Sequence, residues 1–551
     1  MIHTCSVALP DGTRTHVDSN TLLGELLSPW SSDEDPVVAA RANNELLDLA
    51  LPVQIDCRLE PVSLSSPEGL RCYRQSLCFL LSLATSQVDE TLQLIIGHSL
   101  GHGYFYSFGG ADATDDLLEK IERRMHSLVD EDHAIELRRL SYEQAVAYFS
   151  SHHMDETAAL FEHRNESRYT AHVCGDFIDI SHGPLVPRLG LLRAFAITKL
   201  DTGFVLRYPP AETPHAVAEY RHSPLLYSIY QEYKEWGRIL GVTSVGTLNR
   251  TVHDGSISQF VRVNETLHEK KIADIARQID DRPGTTRIVL VAGPSSSGKT
   301  TFTKRLSLQL SAQGMQPVML SVDDYFVNRE ITPLDSDGRY DFEHIEAIDI
   351  DLFNDHLLRL SHGEEVELPE FDFKTGQRQY NGRKIQLPPG GILIAEGIHC
   401  LNERLTERVP ADEKFKIYIS ALTQLNLDDR NRISTTDNRF IRRLVRDSKF
   451  RGHTALDTLG MWPSVQRGER RNIFPFQDSA DAAFNSALDY ELGVLRSHAE
   501  PLLRRIHPDS PFYGESLRML AFLSNFASIP EKFVPQYSIL REFVGDSGFH
   551  Y

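Results

Sequence analysis

The stretch RIVLVAGPSSSGKTTFTKRLSLQLSAQG (residues 287–314) decides the reading of this chain, because it sets an apolar run, a glycine- and serine-rich loop and an amphipathic pattern end to end. Residues 288–291 read as a buried strand, and Phe302, Leu306 and Leu310 recur at helical spacing. Gly314 is the expected helix stop. Between strand and helix, Gly293-Pro-Ser-Ser-Ser-Gly298-Lys299-Thr300 fits the phosphate-loop pattern G-x4-G-K-[ST]. Its glycines let backbone N–H groups turn inward on phosphate oxygens, at a helix N-terminus that already favours anions. Ser295, Ser296, Ser297 and Thr301 belong to the same cradle. Lys299 is expected to reach the β- and γ-phosphates, and the Thr300 hydroxyl to hold Mg2+. The reading predicts a nucleoside triphosphate site.

Downstream, strand and helix patterns alternate as in an open α/β sheet. PVMLSV (317–322) is a strand candidate ending at Asp323-Asp324, GILIAEG (391–397) a second containing Glu396, and KFKIYIS (414–420) a third. Acids at strand ends beside a phosphate loop lie where such a sheet places its ligands. Phosphoryl transfer needs metal-held phosphates and a group that accepts the nucleophile's proton, so Asp323 and Glu396 are candidates for base and Mg2+ anchor. A strand-end Asp alone is more often a turn or cap residue; two acids after a phosphate loop reverse that balance. In RFIRRLVRDSKFRG, Arg439, Arg442, Arg443 and Arg446 recur at i, i+3, i+4 and i+7, with Arg451 following. A solvated basic face or an RNA-binding stripe competes with a lid that sets arginines on the transferred phosphoryl group; the loop favours the lid. The segment 338–353 and LPEFDFKTGQR (368–378) offer acids and aromatics for hydroxyls and a base ring, although Phe371 and Phe373 alternate like strand core.

At 551 residues the chain suits several domains, and its net charge of -20 opposes nonspecific attraction to nucleic acid or anionic membrane. Six cysteines without C-x-x-C spacing point to reduced thiols rather than a disulfide framework. Neither a signal-peptide core nor a span of membrane length is seen, so a cytoplasmic location without membrane contact is expected. The chain divides into a small mixed module (1–62), a second mixed region (63–210), a helical linker region (211–285), the α/β domain (286–500) and a helical C-terminal tail (501–551).

The α/β part resembles the uridine–cytidine kinase family, itself similar to phosphoribulokinase and pantothenate kinase. GPSSSGKTTF, SVDDYF, DFEHIEAID, LPEFDF, IAEGIH, RRLVRDSKFRG and IFPFQDSADAAFNSALDYEL carry the resemblance across 287–495. It implies a P-loop NTPase fold, ATP and Mg2+, and a nucleoside substrate. Asp323 then matches the base acting on the 5′-hydroxyl, and Glu396 the acid near Mg2+. Glu343 stands in for an aspartate that binds ribose hydroxyls. Arg443, Arg446 and Arg451 match arginines at the phosphate and nucleoside region, with Tyr325, Phe371 and Phe373 lining the substrate. The base pocket departs from the family: Gly376 falls near a pyrimidine-reading histidine's place, which removes a polar handle.

The front half resembles threonyl-tRNA synthetase: a TGS-like β-grasp module over 1–62 and an α+β editing-like domain over 63–210. GHSLGH (97–102) and CGDFIDISHGPLVPRLG (174–190) carry that likeness. His98 and His102, four apart, would share a helix face in a metal site. Ser181 and Leu185 occupy the places where related metal-binding versions have a cysteine and a histidine, and neither ligates zinc well. A vestigial scaffold, or a surface for RNA or a regulatory ligand, is expected instead. The order of the parts is similar to a bacterial group of uridine kinase-like proteins. An ATP:nucleoside 5′-phosphotransferase, assembled as a homo-oligomer, is the expectation. A kinase of another hydroxylated metabolite, or an ATP-switched RNA- or ribosome-associated regulator, is the alternative.

Overall fold

The computed structural model describes residues 4–164, 166–282, 286–335, 338–372 and 375–550. The 287–314 stretch folds as its pattern requires. Strand Ile288–Ala292 is buried along its length, and helix Lys299–Ala312 buries Phe302, Leu306 and Leu310 completely. That strand is the middle of five, in the order Gln316–Ser321, Gly391–Glu396, Ile288–Ala292, Lys414–Ser420 and Ala482–Asn485, all parallel. Parallel sheets need both faces covered. On one face Val289, Val291 and Ile417 pack with Phe302 and with Ile272 and Ile275 of helix Ile257–Asp280. On the other, Leu290, Leu320 and Leu393 pack with Phe353 and Leu357 of helix Ile350–Ser361.

The first module is a five-stranded sheet ordered Arg14–Asp18, Thr4–Ala8, Cys57–Ser63, Val37–Ala42, Glu45–Leu47, in which Thr4–Ala8 and Cys57–Ser63 run parallel. Helix Leu23–Leu27 closes its core, as in a β-grasp module. The second region joins a four-stranded and a three-stranded sheet with helices Pro67–Val88 and Asp115–Glu131, an α+β arrangement. The expected linker is helical at Pro224–Leu240, Val245–His253 and Ile257–Asp280. Its last two helices, however, contribute Val245, Leu248, Phe260 and Ile272 to the core of the parallel sheet. The front and back of the chain meet at the segment after strand Lys414–Ser420. Asp428 pairs with His182 at 2.9 Å, Asp429 accepts from the Thr157 N–H and hydroxyl at 2.8 Å, and Asn426 donates to the Ile96 carbonyl at 2.8 Å. All six cysteines are free thiols.

The four arginines of helix Thr435–Arg446 do not share one role. Arg439 is buried against Glu469 of helix Ala455–Asn472, Nη1 donating to Oε1 at 2.7 Å. Arg442, with no exposure, donates through Nε to Glu491 at 2.9 Å and through its Nη atoms to the Ser486 and Ser296 carbonyls at 2.7 and 3.3 Å. Helical spacing alone overstated the ligand-facing set, because a helix packed on two sides turns i and i+3 inward. Removing one partner of a buried ion pair costs about 3–5 kcal/mol, since the other charge stays buried. Glu491→Ala is therefore expected to lower the stability of the α/β unit by about that amount, read as a shifted midpoint in urea unfolding followed by circular dichroism.

Candidate active site

The phosphate loop occupies the C-terminal end of strand Ile288–Ala292, where the chain must turn sharply into helix Lys299–Ala312. Gly298 takes φ +81°, and a Cβ on Gly293 would lie 2.1 Å from the Ile419 carbonyl oxygen, so both glycines are required by geometry. The loop is braced from outside. Glu469 accepts from the Ser295 N–H at 2.9 Å, and Arg443 donates to the Ser295 hydroxyl at 2.8 Å. Ser296 adopts φ +59°, and the Ser296 and Ser297 hydroxyls are buried without a hydrogen-bond partner. Lys299 folds back over the loop, its Nζ 3.1 Å from the Gly293 carbonyl.

The adjacent strands bring the acids to the same edge. Thr300 donates to Glu396 at 3.0 Å. Burial pushes the Glu396 carboxyl up to about 7, with the Asp323 charge adding and Lys299 opposing. Asp323 lies in the short 3-10 turn Val322–Tyr325, open to solvent in the cleft. Desolvation raises its carboxyl above the usual range while Lys299, Arg451 and Arg446 act against the rise. Asp324 is pushed up to about 6 by burial. The oxygen donors Thr300, Glu396 and Asp323 suit Mg2+, which keeps several waters and takes phosphate oxygens. Among the described residues no three His, Cys, Asp or Glu side chains converge on one metal position.

On the lid side, Asp447 gathers Arg443, Arg446 and Arg451, at 3.1, 2.8 and 3.7 Å. Glu343 faces Glu469 and Arg443; burial and the Glu469 charge push it up to about 7, and its Oε2 is buried without a partner. Two expected substrate contacts are corrected. Tyr325 is fully buried, its hydroxyl bonded to His356 Nδ1 at 2.8 Å, and Phe371 is buried with its ring centroid 5.4 Å from that of Phe326. Both belong to the core: the short turn sends Tyr325 inward, and Phe371 takes a buried position of strand Glu365–Asp372. Phe373 lies outside the described residues. At Gly376 a Cβ would come within 2.5 Å of the Arg329 Nε, so this arginine borders the place of the absent histidine.

Residues 288–492 match the family model for the Phosphoribulokinase / Uridine kinase family. The back of the chain carries a kinase domain of that family. A solved structure titled a possible uridine kinase from Bacillus stearothermophilus aligns at 18% identity and TM-score 0.28, covering 39% of this chain and 98% of that one. The D-glycerate 3-kinase from Cryptococcus neoformans aligns at 12% identity and TM-score 0.20, covering 49% and 87%. The N-terminal region matches the threonine–tRNA ligase of Halorhodospira halophila, 32% identical over 199 residues, 35% of this chain and 31% of the ligase. It also matches that of Coxiella burnetii, 33% identical over 200 residues, 35% and 30%. The chain thus spans about a third of the length of those ligases.

In the editing-like region, the two histidines expected to share a helix face do not do so. His98 lies in strand Leu94–Ser99 and His102 in the turn before strand Gly103–Phe108, not on one helix. The β-branched run before His98 and Gly101 after it, at φ +57°, favour strand and turn over helix. Burial holds the His98 imidazole down at about 3, with Arg432 of the kinase domain adding to this and the Thr423 backbone opposing. Leu185 is buried and Ser181 lies beside the Gly183 carbonyl.

Sequence reasoning missed Glu469, whose long-range brace on Ser295 has no local pattern. It also missed Glu542, near the end of the chain, which accepts from the Thr301 hydroxyl at 2.7 Å. Since backbone oxygen at 419 cannot yield as a flexible side chain does, Gly293→Ala is expected to distort the loop. ATP affinity should fall by about tenfold or more, about 1.4 kcal/mol, measured by isothermal titration calorimetry.

Proposed function

We propose that the kinase domain transfers the γ-phosphoryl group of ATP to the 5′-hydroxyl of a nucleoside, with uridine or cytidine as the family default. The observation that carries this reading is the exposed carboxyl of Asp323, set in the turn Val322–Tyr325 at the same edge of the sheet as the phosphate loop and in the field of Lys299, Arg451 and Arg446. Asp323 takes the acceptor hydroxyl's proton as that oxygen bonds to the γ-phosphorus. The bond to the departing diphosphate breaks, and its electron pair stays on the leaving oxygen. Lys299, Arg443 and Arg446 are placed to balance the charge spread over the transferring group. Mg2+, when bound, neutralises phosphate charge; Thr300 and Glu396 would hold it, with Asp323 alongside.

Asp323 and Glu343 would border the acceptor, and carboxyl groups hydrogen-bond to hydroxyls. The base pocket is less defined, because Gly376 falls near the place of a pyrimidine-reading histidine and brings no side chain, while Arg329 borders it. The likeness to threonine–tRNA ligases favours one other reading, an RNA-associated protein that uses the kinase domain as an ATP switch.

Two measurements test the assignment. A nucleoside panel with ATP and Mg2+, analysed by mass, should yield a monophosphate; RNA-stimulated ATP hydrolysis without such a product would favour the switch. General-base contributions are about 100- to 10,000-fold. Asp323→Asn should therefore cut turnover by at least about 100-fold while changing ATP affinity far less, and Lys299→Ala should abolish transfer in a folded protein.

A further inference from the structure

The last stretch of the chain returns to the kinase site. After helix Tyr513–Ser524 it runs back across the gap between the phosphate loop and the lid. Glu542 Oε2 accepts from Thr301 twice, from the hydroxyl at 2.7 Å and from the backbone N–H at 3.3 Å. Ile539 covers the loop's second glycine so closely that a Cβ on Gly298 would lie 2.5 Å from its Cγ2. On the lid side, Lys449 donates to the Val544 carbonyl, and the Phe543 ring lies 5.1 Å from the Arg442 guanidinium. Lys304, one turn along the loop helix, donates to the His550 carbonyl.

We propose that residues 537–550 form a strap across the nucleotide site, in which the Glu542 carboxylate competes with a nucleotide phosphate for the donors of Thr301. The proposal rests on the phosphate-loop reading above. Thr301 follows the Lys-Thr pair of the loop directly, so its N–H belongs to the first turn of the helix, whose donors have no acceptor within the helix and form the group that binds phosphate. A carboxylate and a phosphate cannot share the same N–H and hydroxyl: both are acceptors and both are negative. The buried, unpartnered Ser296 and Ser297 hydroxyls mark the same loop as a site built for further acceptors.

The strap is anchored while its acid is not. Ile539, Leu540, Phe543 and Val544 have no exposure, whereas Glu542 between them is only partly buried. Stripping four buried apolar side chains costs far more than turning one carboxylate outward. The moving part is thus the Glu542 side chain, and the apolar anchor stays as a wall joining loop to lid. The device sets a threshold: the kinase domain binds ATP more weakly than its loop alone would allow, and any event that turns the Glu542 side chain outward raises that affinity.

The test is calorimetric titration of Mg2+ and ATP, without acceptor, into the full-length wild type, Glu542→Ala and Glu542→Gln. Glu542→Ala should bind roughly tenfold more tightly than wild type. Glu542→Gln, which keeps the shape and loses the charge, should also bind more tightly and guards against a packing defect in the alanine variant. Equal or weaker affinity in both variants overturns the strap. ATP binding to none of the three proteins would instead bring down the phosphate-loop reading and the strap with it.

Discussion

A guanidinium removed from water organises this kinase domain. Arg442 cannot be solvated where it sits, so its charge is matched entirely by protein: the Glu491 carboxylate and the Ser486 and Ser296 carbonyls. Those partners come from the phosphate loop, the turn after the edge strand Ala482–Asn485 and helix Glu491–Leu503. One residue therefore ties the phosphate loop to the stretch 486–491, which lies far from it in sequence. Arg439 repeats the device one turn earlier through Glu469, which also takes the Ser295 N–H. The loop's shape is held by the helices around it as much as by its own glycines.

That bracing explains why acids of unusual proton affinity are tolerated at the strand ends. Glu396, Asp323 and Glu343 would repel one another in an unstructured cleft. Here burial raises each, and cations limit the rise: Lys299 for all three, Arg451 and Arg446 for Asp323, and Arg443 for Glu343. The opposed groups come from different elements, the acids from strand ends and turns, the cations from the loop helix and the lid.

Much of this was legible in the sequence because it is local. The strand–loop–helix order at 288–312 follows from apolar spacing and glycine placement, and the order of strands carrying Asp323 and Glu396 follows from short β-branched runs ending in acids. What escaped was set by tertiary packing. The arginine periodicity of 439–446 identified a helix face correctly, yet could not say that Glu469 and Glu491 would claim Arg439 and Arg442. Tyr325 follows two acids in a motif, but the turn sends it into the core. His98 and His102 kept their spacing while the backbone between them became strand and turn. Glu542 had no signal at all, since its meaning lies in a partner 241 residues away.

The helices before the phosphate loop limit where the chain can be cut. Residues 245–279 share their apolar face with Phe302 and Val289, and the kinase segment 426–429 fills its hydrogen-bonding needs from Thr157, His182 and Ile96. A fragment cut at the start of the family-matching region would lack one wall of its own sheet, so the parallel-sheet domain cannot be detached at that point without exposing Val289 and Phe302.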